Sequence, residues 1–272
     1  MTIGVLVTVK DGEAHIEHAL RSVVDQTAPP TTIVVIDDGS TDDTVGVLAA
    51  MAATTDNLRF VEAGPVGRGG ALNLGLAHLD TEWVAILDAD DVWLPEKLEL
   101  QAGVVAAVQG IDVLGTRYRL IDGTGAPVRA TRAEVPRQPR VTDVTSELWR
   151  HNPLMHASTL MRRDVVVAAG GYDVDQRRSH FDYDLFVRLA ERGHRLHCVE
   201  HPAALKRLHP GQSFGAERRV AYALSSASVQ IRAVRLLGKG RSTYLVVAAR
   251  VVWGVAPRRL RLLASRLRRD RH

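Results

Sequence analysis

Over the first 110 residues, short apolar runs alternate with segments whose apolar side chains recur every three or four positions. Ile3–Thr8 is a short apolar run, and Glu13–Asp25 follows with Ile16, Leu20, Val23 and Val24 at helical spacing. Thr32–Ile36, Leu58–Val61 and Trp83–Leu87 repeat the strand pattern, separated by helices predicted through Val45–Ala53 and Gly70–Leu79. A further helix is expected over Pro95–Val108. Strands alternating with helices predict βαβ units and a mostly parallel sheet covered on both faces, an α/β fold. From Asp112 the rhythm changes. Val113–Ile121 and Ala126–Ala130 flank Asp122-Gly-Thr-Gly125 and read as a hairpin, while Val135–Pro139 reads as a loop. A strand near Ala157–Met161, a short helix over Asp164–Ala169, a helix over Phe181–Arg192 and a strand over Arg195–Val199 complete this region.

Composition narrows the class. The 272 residues are 46% hydrophobic and 24% charged, which suits a folded globular chain and excludes a disordered or collagen-like one. The single cysteine, Cys198, excludes an intramolecular disulfide framework and a Cys-based zinc finger. Met1–Lys10 reads as a strand without the basic n-region of a signal peptide, so a cytoplasmic location is expected. The closest approach to a membrane span, Tyr244–Ala256, is too short and is interrupted by Arg250. The net charge of +4 hides a division. Gly238 to the C-terminus holds ten Lys or Arg and one acid, Asp270, against 25 basic and 30 acidic residues before it. Leu260, Leu263, Ala264 and Leu267 fall on one helical face opposite Arg258, Arg261, Arg268 and Arg269. This basic amphipathic pattern suits a peripheral contact on the inner face of the cell membrane, or a solvated terminal helix. The aromatic and basic interleaving of nucleic-acid surfaces is missing, so no nucleic-acid partner is expected.

Two acidic clusters stand at predicted strand ends, Asp37-Asp38 and Asp88-Ala-Asp-Asp91. Open α/β sheets take ligands at the carboxyl ends of their strands, where a carboxylate can face a ligand without being buried unpaired. Asp88 and Asp90 fit a hard divalent cation, Mg²⁺ or Mn²⁺, shared with diphosphate oxygens, and fit equally a cap on the following turn. Ser40, Thr41 or Asp42 can N-cap the next helix while leaving Asp38 for a ligand.

Ile33-Val-Val-Ile-Asp-Asp-Gly-Ser-Thr-Asp42, followed about fifty residues later by Trp83-Val-Ala-Ile-Leu-Asp-Ala-Asp-Asp-Val-Trp-Leu-Pro95, resembles the nucleotide-sugar-binding half of family 2 glycosyltransferases. Asn152-Pro-Leu-Met-His-Ala-Ser-Thr-Leu-Met-Arg-Arg163, Gly170-Gly-Tyr-Asp173, Asp182-Tyr-Asp-Leu185 and Arg207-Leu-His-Pro-Gly-Gln-Ser213 continue the likeness across residues 2–214. The resemblance implies a GT-A fold: a Rossmann-like α/β domain over 1–214, with a nucleotide half at 1–110 and an acceptor half at 111–214. Residues 215–272 would be a helical, basic extension. It implies an inverting transferase that takes a sugar from a UDP- or dTDP-linked donor to a glycan or lipid-linked acceptor. Thr8 and Asp38 match positions that hold the base and ribose, and Arg68 is the candidate contact of the diphosphate loop. Asp88 and Asp90 match the Asp-x-Asp motif, with Asp90 on the metal, and His209 falls where relatives place a late histidine near the metal. Asp182 matches the general base. A family member would therefore need a divalent cation, Mn²⁺ or Mg²⁺.

Three departures accompany the likeness. Lys10 stands where an aromatic is usual, Phe181 stands where Glu usually precedes the base, and the loop Gly64–Asn73 also reads as a turn before a helix. That loop is no Walker A, since Gly70-Ala71 replace Lys-Ser/Thr. His194, His197, Cys198 and His201 invite a zinc reading, but a strand would put His197 and Cys198 on opposite faces. Trp93 reads as core or as a border of the sugar pocket. Trp149, Asn152, Met155 and His156 lie on the acceptor side. A sugar nucleotidyltransferase or a non-catalytic nucleotide-sugar-binding protein are the alternatives. The first would want a basic Gly-rich signature that Lys10-Asp-Gly12 does not supply, and intact Asp90 and Asp182 argue against the second. The oligomeric state is not legible.

Overall fold

The apolar runs of the first half form adjacent parallel strands: β1 (Ile3–Val9), β2 (Thr32–Asp37), β3 (Leu58–Glu62) and β4 (Trp83–Asp88), in the spatial order β3-β2-β1-β4. The structure, a computed structural model, describes residues 1–128, 139–175, 180–208 and 219–255. Helices α1 (Ile16–Val24), α2 (Thr44–Ala52) and α3 (Gly67–Ala77) join successive strands. Alternate residues of β1 enter two cores. Leu6 packs with Ile36, Leu72 and Leu76, while Val5, Val7 and Val9 pack with Ile16, Leu20 and Val23 of α1. Burial on both faces is why β1 reads as an unbroken apolar run.

The second half contributes β5 (Val92–Trp93), α4 (Lys97–Ala107), β6 (Val113–Ile121), β7 (Val141–Asp143), β8 (Leu160–Arg162), α5 (Arg163–Ala168), α6 (Phe181–Glu191) and β9 (Leu196–Arg207). They extend the sheet as β4-β8-β6-β9-β5, with β7 on β9. Strand β8 runs antiparallel to both β4 and β6, and β5 antiparallel to β9, so the sheet is parallel from β3 to β4 and mixed beyond β4. This is the expected α/β architecture.

Several elements differ in detail from the pattern. The expected strand at Ala157–Met161 starts as a 3₁₀ turn, His156–Ser158, and only Leu160–Arg162 pairs. Among the described residues the hairpin is seen as a bridge between Ile121 and Pro127, flanked by the Val128 N–H donating to the Leu120 carbonyl at 3.0 Å and the Asp122 N–H to the Ala126 carbonyl at 2.8 Å; residues 129 and 130 lie outside the described residues. Strand β9 continues well past Val199. Pro202 is tolerated there at the irregularity where the β6–β9 register shifts. Helix α3 starts at Gly67 rather than Gly70, because the Asp38 carboxylate accepts the Gly67 N–H at 2.7 Å. The first residues of α2 are held by Asp42, whose Oδ1 accepts the Thr44 N–H at 3.1 Å.

Trp93 is core: it is buried, and its Nε1 donates to the Ala157 carbonyl at 2.7 Å. The Lys97 ammonium lies 3.7 Å from the Trp93 ring centroid and donates to Gln101 at 2.8 Å. Burial without a carboxylate partner pushes that ammonium far below its ordinary pKa.

Helices α7 (Arg219–Leu236) and α8 (Ser242–Val255) follow β9. Arg232 of α7 grips Asp184 and Glu191 of α6 at 2.6 Å each, and Gln230 donates to the Arg150 carbonyl at 3.0 Å. Helix α8 packs on α7 through Tyr244, Val247 and Val251. Its opposite side, Leu245, Val246, Val252 and Trp253, is exposed. No helix among the described residues is long and apolar enough to cross a membrane. The arginine-rich amphipathic pattern, the Val135–Pro139 loop up to Gln138, and His209 lie outside the described residues.

Candidate active site

Parallel register brings the ends of β1, β2 and β4 to one edge. Thr8 pairs with Ile36 on one side and with Asp88 on the other, and Val9 pairs with Asp37. The chain then turns at two loops that bind each other. Asp11, with φ of 50°, accepts the Thr41 N–H at 2.7 Å, and the Gly12 N–H donates to Thr44 Oγ1 at 2.8 Å. Asp37 folds back to accept the Ser40 N–H at 3.1 Å, so the two adjacent acids have different duties. Asp37 shapes its own turn, whereas Asp38 reaches across to the start of α3. Lys10 is exposed at the mouth of this edge.

The start of α3 carries Arg68 into the centre. Its guanidinium ion-pairs with Asp88 and sits 4.9 Å from the Phe181 ring centroid. Its Nε is buried without a hydrogen-bond partner. Phe181 in turn meets His156 and Tyr172 edge-on at 5.5 and 6.1 Å. Where the family usually has a second acid before the base, this chain therefore presents an aromatic face to Arg68. His156 is buried, with Nε2 2.8 Å from the Tyr172 hydroxyl, and burial holds its pKa down at about 3.

Gly69 permits this placement. A Cβ there would fall on the Asp173 carbonyl oxygen, a backbone atom that cannot swing aside. Gly69→Ala is accordingly expected to cost about 1–3 kcal/mol, the scale of overpacking. A thermal melt of the variant against the parent checks it, and an unchanged midpoint would show that the segment yields freely.

Carboxylate oxygens of Asp88, Asp90 and Asp91 lie within 4.8 Å of one another, and among the described residues this is the one such cluster of potential metal ligands. His194, His197, Cys198 and His201 form none: His194 is held by Asp112 at 2.8 Å, and Cys198 is buried. Asp91 is buried and accepts the Arg207 N–H at 2.9 Å through Oδ1, but its Oδ2 has no partner. Burial and the neighbouring Asp88 and Asp90 charges push its carboxyl pKa up to about 8. An oxygen-only donor set with an orphaned buried carboxylate oxygen fits a hard divalent cation. Arg207 fixes the turn from behind. Its Nε donates to the Asp90 carbonyl at 2.9 Å, and Nη1 donates to the Gly123 carbonyl at 3.1 Å.

Asp182 occupies the first turn of α6, where the helix N-terminus favours an anion. Burial pushes its carboxyl above the ordinary range against the pull of the Tyr183 N–H and Arg68, and Asp88 pushes it further. The Asn152 Nδ2 donates to its Oδ2 at 2.8 Å. The fold thus gathers Thr8, Asp38, Arg68, Asp88 and Asp90 at one sheet edge, with Asp182 facing them across Arg68 and Phe181. Arg207 and the Asn152–Asp182 bond were not read from sequence. Both residues stand inside quoted motifs, but their partners are 117 and 30 residues away.

A parallel-sheet edge bearing a carboxylate cluster, a half-buried arginine and a carboxylate of raised basicity has the layout of a ligand site at the carboxyl ends of an open α/β sheet. The comparisons with known proteins agree. The model of Glycosyl transferase family 2 matches residues 4–168, and the chain belongs to that family. An uncharacterized glycosyltransferase of Nostoc sp. is 34% identical over 140 residues, 50% of this chain and 42% of its own length, so the chain spans less than half of that relative. The amylovoran biosynthesis glycosyltransferase AmsE of Erwinia amylovora is 27% identical over 77% of this chain and 76% of its own. Among solved structures, S. aureus TarS in complex with UDP-GlcNAc superposes with a TM-score of 0.68 at 17% identity, covering 94% of this chain and 82% of that one. The mannosyltransferase PcManGT of Pyrobaculum calidifontis, in complex with GDP-Man and Mn²⁺, gives 0.63 at 18%, covering 99% and 80%. At these identities the two structures speak for the fold.

Proposed function

We propose that this glycosyltransferase moves a sugar, with inversion, from a UDP- or dTDP-sugar to a hydroxyl of a glycan or lipid-linked acceptor in cell-surface polysaccharide or glycolipid assembly. The observation that carries the reading is Asp182, a lone carboxylate of raised basicity facing the Asp88–Asp91 turn across Arg68. Asp38 and Thr8 hold the base and ribose, Asp38 using the oxygen that Gly67 leaves. Arg68 exchanges Asp88 for diphosphate oxygens. Mn²⁺ or Mg²⁺, held by Asp90 beside Asp88 and Asp91, with His209 as a further ligand, would neutralise charge on the departing diphosphate. Asp182 accepts the acceptor hydroxyl proton as the oxygen bonds to the anomeric carbon and the sugar–diphosphate bond breaks, its electron pair leaving with the diphosphate. One displacement, with no second nucleophilic carboxylate, inverts the centre. Residues 1–110 serve the donor and 111–214 the acceptor. AmsE, by its name a glycosyltransferase of polysaccharide biosynthesis, supports the cell-surface setting.

The test is a thermal-melting screen of the full chain with UDP-, dTDP- and GDP-sugars in Mn²⁺. UDP- or dTDP-sugars are expected to raise the midpoint most, by about 2–4 kcal/mol of linkage at 100–1,000 times Kd. A response confined to GDP-sugars would overturn the donor assignment.

The membrane contact has its own support. The outward face of α8 is apolar, and the sequence following it is rich in arginine. These features support a reading of peripheral attachment to the inner face of the cell membrane, at about 1 kcal/mol per basic residue near an anionic surface. Co-sedimentation with phosphatidylglycerol vesicles, but not with phosphatidylcholine, is expected. It should be lost in Leu245→Glu/Trp253→Glu with the donor response intact. Equal pelleting with both lipids would sink the attachment.

A further inference from the structure

We propose that Asn152 is a positioning residue, holding the Asp182 carboxylate in the orientation proton transfer requires; this rests on the reading of Asp182 as the base. The Asn152 amide is oriented from both ends: Nδ2 donates to Asp182 Oδ2 at 2.8 Å, and Oδ1 accepts the Leu154 N–H at 3.3 Å. A flipped amide would oppose its oxygen to the carboxylate and lose both bonds. The segment bearing Asn152 is itself fastened. The Tyr183 hydroxyl, one residue beyond Asp182, donates to the Leu148 carbonyl, and Gln230 of α7 holds the Arg150 carbonyl. Trp149 packs against the cluster of Ala227, Val234 and Val247 from α7 and α8. The Asn152 segment and the start of α6 are therefore joined at two points, Asn152 to Asp182 and Leu148 to the adjacent Tyr183.

Besides the backbone N–H groups of its own helix start, the other side chains acting on Asp182 are charged or acidic: Arg68 from α3, Asp88 from β4 and the hydroxyl of Tyr172. Arg68 attracts the carboxylate and Asp88 repels it, and both are expected to change partners when donor binds. The Asn152 bond is neutral and comes from a different segment, so it holds its geometry through that exchange. During transfer the proton goes from the acceptor oxygen to Asp182. The Asn152 amide keeps both its hydrogens and only restrains the carboxylate.

Asn152→Ala and Asn152→Asp in the full chain test this. The readout is nucleoside diphosphate release from the UDP- or dTDP-hexose giving the largest shift in the Mn²⁺ screen. Both variants are expected to lose roughly 10–100-fold in kcat, with donor KM within about twofold. The aspartate variant, which has the size of Asn but no donor amide, should fare no better than alanine. If alanine unfolds the segment, the aspartate variant alone carries the comparison. Adding Asn152→Ala to Asp182→Asn should cost nothing further, since one residue acts through the other. A packing role would instead leave the aspartate variant near the parent or make the two losses multiply, and either result overturns the proposal. The base reading fails separately, if Asp182→Asn alone keeps full turnover.

Discussion

Asp182→Asn is expected to reduce sugar transfer by roughly 10²–10⁴-fold, the range supplied by a positioned general base, while the donor-induced rise in melting temperature persists. The amide keeps the shape of the carboxylate and still offers an oxygen to Asn152, so the change is confined to basicity. Its effect on stability has a definite sign. A carboxyl whose folded pKa is raised stabilises the fold at pH below its unfolded value, and that contribution is lost as pH rises through the folded one. At neutral pH the parent therefore carries the strain of a partly buried charge, and the variant should melt no lower. In the parent, kcat should fall on the acid side at a pH above the ordinary carboxylate range, because only ionised Asp182 accepts the proton. Loss of rate without this melting behaviour would mean damage to the fold. Retention of full transfer would remove Asp182 from the mechanism.

Removal of the divalent cation should be as severe. A Lewis acid on the leaving diphosphate is worth several kcal/mol, and each 1.36 kcal/mol is a factor of ten. Chelation with EDTA and the substitution Asp90→Asn are each expected to lower transfer on the order of 10²-fold or more, and only the chelated parent should recover with added Mn²⁺. Asp91 gives a readout that needs no turnover. Its own burial, and then the charges of Asp88 and Asp90, push its carboxyl pKa up to about 8. A cation there favours the ionised form, so Mn²⁺ binding should release protons and tighten as pH rises toward 8. Calorimetry in buffers of different ionisation heat would detect that release. Full activity in EDTA would end the metal assignment of Asp90.

The local pattern of the chain determined much of this. Strands β1 to β4 were legible because a parallel strand covered on both faces must be apolar throughout. The acidic groups at their ends were legible because chemistry in such sheets is confined to strand termini. Asp182 stood out through its motif, in a helix start that periodicity located correctly. Tertiary structure alone decided how these groups are held. Arg207 closes the Asp90 turn from 117 residues away, and Asn152 meets Asp182 from 30 residues away. Asp38 holds the first turn of α3, so a helix expected from Gly70 begins at Gly67. Strand β9 outruns its local signal because β6 supplies its partners. The physical reason is the same in each case. Hydrophobic periodicity records which face of an element is buried. A side-chain hydrogen bond or an ion pair between distant segments depends on sheet register and helix docking, which no local window contains.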